Sequence, residues 1–185
     1  AATQEISYGR AQGQLAYYRV LESQGKCRMI ADATALDQHA ADWQHDPDGT
    51  PLGFILSMEG ADPIAWPEQV HSWSEDGLRV VSLSHYGISA YANGTGTEGG
   101  LSDQGPALLR EMEKAGVILD LTHLADQAFW EALDNYTGPV LASHNNCRAL
   151  VPHQRQFTDE QLKAIVERDG IVGAALDAWM LYPDW

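Results

Sequence analysis

Short apolar runs alternate along the chain with longer segments in which apolar side chains recur at helical spacing. A continuous apolar run predicts a strand that is covered on both faces, and an amphipathic segment predicts a helix. Some predicted helices carry end signals, such as Thr158 at a start and Gly116 at an end. The predicted strands are 28–31, 53–58, 78–84, 117–121, 139–142 and 171–175, and the predicted helices are 10–24, 36–43, 66–76, 102–115, 125–135 and 158–169. This alternation predicts a parallel sheet.

Polar residues at the strand ends distinguish two architectures that fit this alternation, an open doubly wound sheet and a closed barrel. Each of four such residues follows a different predicted strand: Glu59, His85, His123 and His144. In a (β/α) barrel the carboxyl ends of all strands meet at one mouth, where active sites are built. An open sheet would spread these side chains apart. The placement therefore favours a barrel.

We accordingly predict an α/β fold of the (β/α)8 TIM-barrel type, as a single domain over residues 1–185. A complete barrel has eight strands and usually about 250 residues. The predicted elements account for about six of the eight βα units. We therefore expect the chain to be an internal fragment of a longer protein.

The charge balance narrows the choice of partners. Lys and Arg number 11 against 26 Asp and Glu, which gives a formal net charge of −15. A surface this acidic repels phosphate, and no basic patch offsets it, so we expect no nucleic-acid partner. No apolar run approaches the roughly 20 residues that span a bilayer. The first residues show no signal peptide, and we expect a cytoplasmic location with Cys27 and Cys147 as reduced thiols.

Three histidines and a glutamate at strand ends suit Zn²⁺ or a similar divalent ion. Neutral imidazole and carboxylate are common zinc ligands, and catalytic zinc sites keep one position open for water. One such histidine alone is more often a structural residue with its hydrogen bonds satisfied. The recurrence of these residue types at one place in successive βα units favours a metal site.

Two segments make a family resemblance specific. Gly116-Val-Ile-Leu-Asp-Leu-Thr-His123 and Ala142-Ser-His144-Asn-Asn resemble the membrane (renal) dipeptidases, the zinc peptidases of family M19 with an amidohydrolase-like barrel. The match runs in order from about Pro51 to Ala178. Its other segments are Ser57-Met-Glu59-Gly, Leu78-Arg-Val-Val-Ser-Leu-Ser-His85, Gly99-Gly-Leu-Ser-Asp-Gln-Gly105 and Arg155-Gln-Phe-Thr-Asp-Glu160.

The resemblance implies a binuclear zinc site that hydrolyses dipeptides with a metal-activated water. Glu59 matches the carboxylate that bridges both metals, and His123 and His144 match the imidazole ligands of the second metal. His85 matches the histidine that polarises the substrate carbonyl and stabilises the oxyanion. Arg155 matches the arginine that binds the substrate's terminal carboxylate. The family also includes homodimers. Beside these residues, Asp120 lies on the strand that precedes His123; we expect it either to orient His123 or to be a buried, hydrogen-bonded strand carboxylate.

One departure from the family pattern concerns the first metal. Its ligands are a His-x-Asp pair, which occurs nowhere in the sequence; His39-Ala-Ala-Asp42 has the wrong spacing and His45-Asp46 is adjacent. We therefore expect this chain to hold at most one metal tightly and to be nearly inactive by itself. Two alternatives stay open. One is a non-catalytic or single-metal barrel protein, and the other is an amidohydrolase acting on cyclic amides or lactones, which need no carboxylate clamp.

The segment Asn93-Gly-Thr-Gly-Thr-Glu-Gly-Gly100 is rich in glycine. No Gly-Lys-Ser/Thr follows it, so it lacks the signature of a phosphate-binding loop. We predict a flexible loop at the rim of the barrel mouth.

Overall fold

A computed structural model describes residues 3–183. Helices and strands alternate as the hydrophobic pattern predicts. In chain order the elements are α1 (Gln4–Ser23), β1 (Cys27–Met29), α2 (Ala33–His45), β2 (Leu52–Phe54), β3 (Leu56–Glu59), a 3₁₀ turn (Pro67–Gln69), α3 (Val70–Glu75), β4 (Leu78–Ser82), α4 (Gly105–Ala115), β5 (Ile118–Asp120), α5 (Asp126–Asn135), β6 (Val140–Ala142), α6 (Asp159–Glu167), β7 (Ile171–Val172) and α7 (Ala178–Leu181).

The main sheet has five strands, and their spatial order β3-β4-β5-β6-β7 is also their order in the chain. All neighbouring pairs are parallel. A doubly wound sheet reverses its strand order at a switch point, whereas the strands of a barrel follow one another around the axis. The fold is therefore α/β of the TIM-barrel type, as predicted, and these strands form part of the barrel wall.

The apolar run predicted as one strand at 53–58 is two strands. Leu52–Phe54 pairs with β1 in a separate two-stranded sheet, while Leu56–Glu59 pairs with β4. The break falls at Ile55, whose side chain is exposed, and the register with β4 shifts between Leu56 and Ser57. Hydrophobicity alone does not mark this break because the residues on both sides of it are apolar.

The core lies around β4, β5 and the helices that cover them. Leu108, Leu109 and Met112 of α4 are completely buried, as are Leu119 of β5 and Phe129 of α5. Burial of each such side chain contributes about 1.5–3 kcal/mol. Gly116, with φ of 66°, ends α4 in the left-handed conformation that glycine adopts without a steric penalty.

Parallel pairing brings the ends of neighbouring strands to one level. Glu59, the last residue of β3, pairs with Ser82 of β4, and Ser82 pairs with Asp120 of β5. The loops after β4, β5 and β6 therefore begin at the same edge of the sheet. Among residues 3–183, no helix combines the length and apolar character that a bilayer crossing requires.

Candidate metal centre

The carboxyl edge of the sheet brings the four predicted residues together around one carboxylate oxygen. Glu59 Oε1 lies 3.1 Å from His144 Nε2, 3.2 Å from His123 Nε2 and 3.9 Å from His85 Nε2. The imidazole of His123 also packs edge-on against those of His85 and His144, with ring centroids 4.3 and 5.2 Å apart. The residues thus occupy the single mouth that the strand-end pattern predicts.

Two histidines compete for the third position beside Glu59 and His123. One ligand atom each of Glu59, His85 and His123 lie within 4.8 Å of one another. His144, however, places its Nε2 closer to Glu59 Oε1 than His85 does. The shorter distance favours His144 as the third ligand, because ligands of one small cation must all reach the same point.

The backbone at His123 adopts an unusual conformation. Its φ of 72° lies in the left-handed region, which few non-glycine residues occupy. Such a conformation costs about 1–3 kcal/mol and occurs most often where function requires a particular side-chain direction. Here it accompanies a buried imidazole directed at Glu59.

Electrostatics favour a charged carboxylate beside neutral imidazole. Close contact with His123 lowers the pKa of Glu59 to about 2; partial burial opposes this shift, and the three nearby imidazoles reinforce it. Burial is the main cause that lowers the pKa of His123, and the contact with the Glu59 carboxylate opposes it. At neutral pH the carboxylate is ionised and His123 is uncharged, which is the donor set that divalent zinc binds.

Two hydroxyl groups contact the histidine nitrogens on the other side of the rings. Ser143 Oγ lies 2.8 Å from His144 Nδ1, and Thr95 Oγ1 lies 3.0 Å from His123 Nδ1. Neither hydroxyl joins Asp120 to the His123 imidazole, a link that the sequence had led us to expect. Asp120 instead accepts a hydrogen bond from Ser143 and so connects to His144.

Arg155 is buried beside the histidine cluster. Its Nη2 donates to the carbonyl oxygen of His144 at 2.7 Å, which attaches the guanidinium to a site-bearing loop. Its Nη1 is buried without a hydrogen-bond partner among residues 3–183. Burial lowers the pKa of Arg155, and the neighbouring Tyr86, Glu59 and Asp120 oppose the shift. A buried cation with an unused donor favours binding of an anionic group.

Sequence reasoning missed Tyr86, Thr95 and Ser143. Tyr86 packs edge-on against His85 and His123 at centroid distances of 4.8 and 5.1 Å, with half of its side chain exposed. For Tyr86 and Ser143 a signal existed, because each adjoins a predicted site histidine in the chain. Thr95 gave no such signal, since only the folded loop brings it to His123.

The glycine-rich segment lies over this mouth, but much of it is packed. Gly94, Thr95 and Gly100 are buried, and the amide of Thr95 donates to the carbonyl of His85 at 3.0 Å. The segment belongs to the loop after β4, is held against His85 at the start of that loop, and contributes Thr95 to the site.

Comparison with known proteins supplies relatives along most of the chain. The dipeptidase aclJ of Aspergillus oryzae is 36% identical over 72% of this chain and 32% of its own length. The dipeptidase tcpJ of Claviceps purpurea is 36% identical over 58% of this chain and 26% of its own length.

Solved structures agree with the sequence relatives. A metallopeptidase of Rhodobacter sphaeroides, crystallised with a phosphinate mimic of the dipeptide L-Ala-D-Ala, superposes with a TM-score of 0.83 at 26% identity. The match covers 99% of this chain and 53% of that one, so the chain spans about half the length of this structural relative. The family model of membrane dipeptidases, peptidase family M19, matches residues 9–182. The chain therefore belongs to the membrane dipeptidase family M19.

Proposed function

We propose that this chain provides the metal-binding face of a dipeptidase, with Glu59, His123 and His144 as ligands of a zinc ion. The observation that carries the proposal is the convergence of imidazole nitrogens on Glu59 Oε1, at 3.1 and 3.2 Å for the two proposed ligands. Ligand atoms about 2.0–2.2 Å from a tetrahedral zinc ion lie roughly 3.3 Å from one another. The two distances from Glu59 Oε1 are compatible with that spacing.

The hydrogen bonds of His144 support the same fit. Ser143 Oγ donates to Asp120 Oδ2, so it receives the proton of His144 Nδ1, and His144 Nε2 is left with a lone pair that faces Glu59. A lone pair and a carboxylate oxygen 3.1 Å apart repel each other unless a positive charge lies between them. Neutral His144 and ionised Glu59 thus form a donor pair suited to a cation placed between them.

A bound zinc ion would supply Lewis acidity and a water whose pKa is lowered towards neutrality. His85 is half exposed at the mouth, 3.9 Å from Glu59 Oε1, and is placed to donate a hydrogen bond to the carbonyl oxygen of the scissile peptide. Negative charge grows on that oxygen in the transition state, so this bond strengthens as the reaction proceeds.

Arg155 would bind the terminal carboxylate of the substrate. Its buried Nη1 has no partner among the described residues, and a carboxylate supplies the missing acceptor in a charge-assisted hydrogen bond. This feature favours a dipeptide over a lactone or cyclic amide, which carries no such group. The dipeptide mimic bound to the Rhodobacter peptidase supports the same substrate class.

In the whole protein we propose a binuclear centre in which Glu59 bridges two zinc ions. The first ion needs further ligands, and the 185-residue sequence contains no His-x-Asp pair. For the 185-residue chain we therefore propose one tightly held ion.

Elemental analysis of the purified chain after dialysis against trace zinc tests the metal proposal. We expect close to one zinc per chain and loss of most of it in Glu59→Gln, which removes the central charge. His71→Gln is the matched control, because His71 contacts Glu111 at 2.9 Å and is not a proposed ligand. Zinc retained by Glu59→Gln at the level of His71→Gln would contradict the proposal.

Substrate class is tested on the whole protein with a dipeptide and a lactone side by side. A chelator should abolish dipeptide hydrolysis, and added Zn²⁺ should restore it. Arg155→Ala should reduce dipeptide turnover strongly and leave any lactone turnover unaffected. Equal losses on both substrates would argue against a carboxylate clamp.

A further inference from the structure

Each proposed imidazole ligand has a hydroxyl group against the ring nitrogen that does not face Glu59. Ser143 serves His144, and Thr95 serves His123. The two hydroxyls come from different loops, since Ser143 directly precedes His144 and Thr95 belongs to the glycine-rich loop after β4. The same chemical arrangement thus occurs twice around one carboxylate.

The direction of the hydrogen bonds at Ser143 is determined by Asp120. Asp120 Oδ1 accepts from the amides of Thr122 and Ser143, and its Oδ2 accepts from Ser143 Oγ at 2.5 Å. A hydroxyl has one proton, and a carboxylate only accepts. Ser143 Oγ therefore accepts from His144, which places the ring proton on Nδ1 and leaves Nε2 free to face Glu59.

Thr95 holds His123 at two points. Its Oγ1 lies 3.0 Å from the ring Nδ1 and donates to the carbonyl oxygen of the same residue at 3.2 Å. While it donates to that carbonyl, Oγ1 accepts from Nδ1–H. The clamp joins the ring to its own backbone, which helps to hold His123 in its left-handed conformation. Thr95 is itself buried, and its amide is bound to His85.

We infer that Thr95 and Ser143 are positioning residues that hold His123 and His144 as Nδ1–H tautomers, so that each Nε2 can bind a divalent cation. Asp120 acts through Ser143. The inference rests on the proposed function, because it explains how the proposed ligands are oriented. Partners of this kind typically change metal affinity 10- to 100-fold when they are removed.

Zinc affinity, measured by competition with a chromophoric chelator on the full chain, tests the Thr95 clamp. Thr95→Val keeps the side-chain shape and removes the hydroxyl, and we expect a 10- to 100-fold loss of affinity. Thr95→Ser restores the hydroxyl and should recover most of the affinity. Thr97→Val is the matched control, because Thr97 lies on the same loop and its hydroxyl donates to Gly94 O at 2.7 Å.

Asp120→Asn tests the role of Ser143 at His144 with a side chain of nearly the same volume. An amide nitrogen in the position of Oδ2 donates instead of accepting, so the Ser143 proton becomes available to His144 Nδ1. That exchange favours the Nε2–H tautomer, which cannot bind metal, and zinc affinity should fall. Ser143→Ala should also lower it. Nitrogen-15 NMR of the zinc-loaded wild type should show protonated Nδ1 on both histidines.

The outcomes separate the two levels of the proposal. A wild-type chain that binds no Zn²⁺ would overturn the proposed function and, with it, this inference. Tight binding by the wild type together with equal affinities for Thr95→Val, Thr95→Ser and Thr97→Val would overturn the inference alone. If Ser143→Ala does not fold, by circular dichroism, the Thr95 series and Asp120→Asn still decide.

Discussion

The amino-terminal segment (α1 to β2) buries fewer of its side chains than the central layer (β4 to α5) does. In α1, 20 residues long, Leu15 is the buried side chain, and Tyr17 and Val20 are exposed. The 11-residue α4 buries four of its residues. The segment's two strands form a separate sheet, whereas β4 and β5 lie inside the five-stranded one. The difference locates most of the described core in the central layer.

The proposed metal ligands lie in the central layer and at its border with the amino-terminal segment. His85 and His123 follow strands of the central layer, whose packing restricts the positions of their loops. Glu59 ends β3 at the border between the two regions, next to a cavity of about 340 Å³ that Leu15, Tyr18 and Trp73 help to line. Rigid elements hold a site more accurately than loops do. We therefore expect changes in the central layer to disturb the site most.

The largest expected contrast is between two leucines on strands. Leu119→Ala empties a completely buried position in β5 and should lower the free energy of unfolding by about 2–5 kcal/mol. Leu52→Ala changes an exposed side chain in β2 and should cost less than about 0.5 kcal/mol. Urea unfolding of both variants measures the pair. Similar losses would show that the two regions are not packed differently.

Two glycine-to-alanine substitutions give the next contrast, and they should change the free energy of unfolding in opposite directions. A Cβ at Gly94 would lie 2.1 Å from the carbonyl oxygen of His85, so Gly94→Ala should destabilise the protein by about 1–3 kcal/mol and displace Thr95. A Cβ at Gly13 in α1 meets nothing within 4 Å, so Gly13→Ala should stabilise it by about 0.5–1 kcal/mol. Thermal unfolding followed by circular dichroism checks both. Stabilisation by Gly94→Ala would show that the loop is not closely packed there.

The smallest contrast concerns two ion pairs. Arg148 binds both oxygens of Asp126 at 2.7 and 2.8 Å and also donates to the carbonyls of Gln154 and Gln156. Because these bonds attach the loop before α6 to α5, Arg148→Ala should cost about 1–2 kcal/mol.

The pair between Arg28 and Asp42 is the control for this prediction. It has one hydrogen bond of 2.8 Å between partly exposed side chains of the amino-terminal segment. Exposed pairs contribute little, so Arg28→Ala should lower the free energy of unfolding less than Arg148→Ala does. Equal losses in urea unfolding would mean that the bidentate geometry of Arg148 adds nothing.

The sequence predicted the features that depend on local pattern and on chain order. Apolar runs located the strands, and the residues after them, Glu59, His85, His123 and His144, meet at one edge because parallel strands align their carboxyl ends. The break at Ile55 depends on which neighbour each half of the run pairs with, and local hydrophobicity does not encode that choice.

The surroundings of the histidines were harder to predict. Thr95 lies 28 residues before His123 in the chain, and only the folded loop joins them. Asp120 lies near His123 in the chain and was expected to orient it. Its carboxylate instead accepts hydrogen bonds from the amide of Thr122 and from Ser143, which follows the neighbouring strand β6. Hydrogen-bond partners across strands depend on the tertiary structure. The sequence therefore predicted the proposed metal ligands but not the hydroxyl groups that hydrogen-bond to them.

Anomalous X-ray diffraction at the zinc edge, from crystals of this chain grown with Zn²⁺, tests the central claim most directly. We predict one strong peak about 2.0–2.2 Å from Glu59 Oε1, His123 Nε2 and His144 Nε2, with His85 outside bonding distance. A peak bound to His85 in place of His144, or no peak among these side chains in crystals that hold zinc elsewhere, would contradict it.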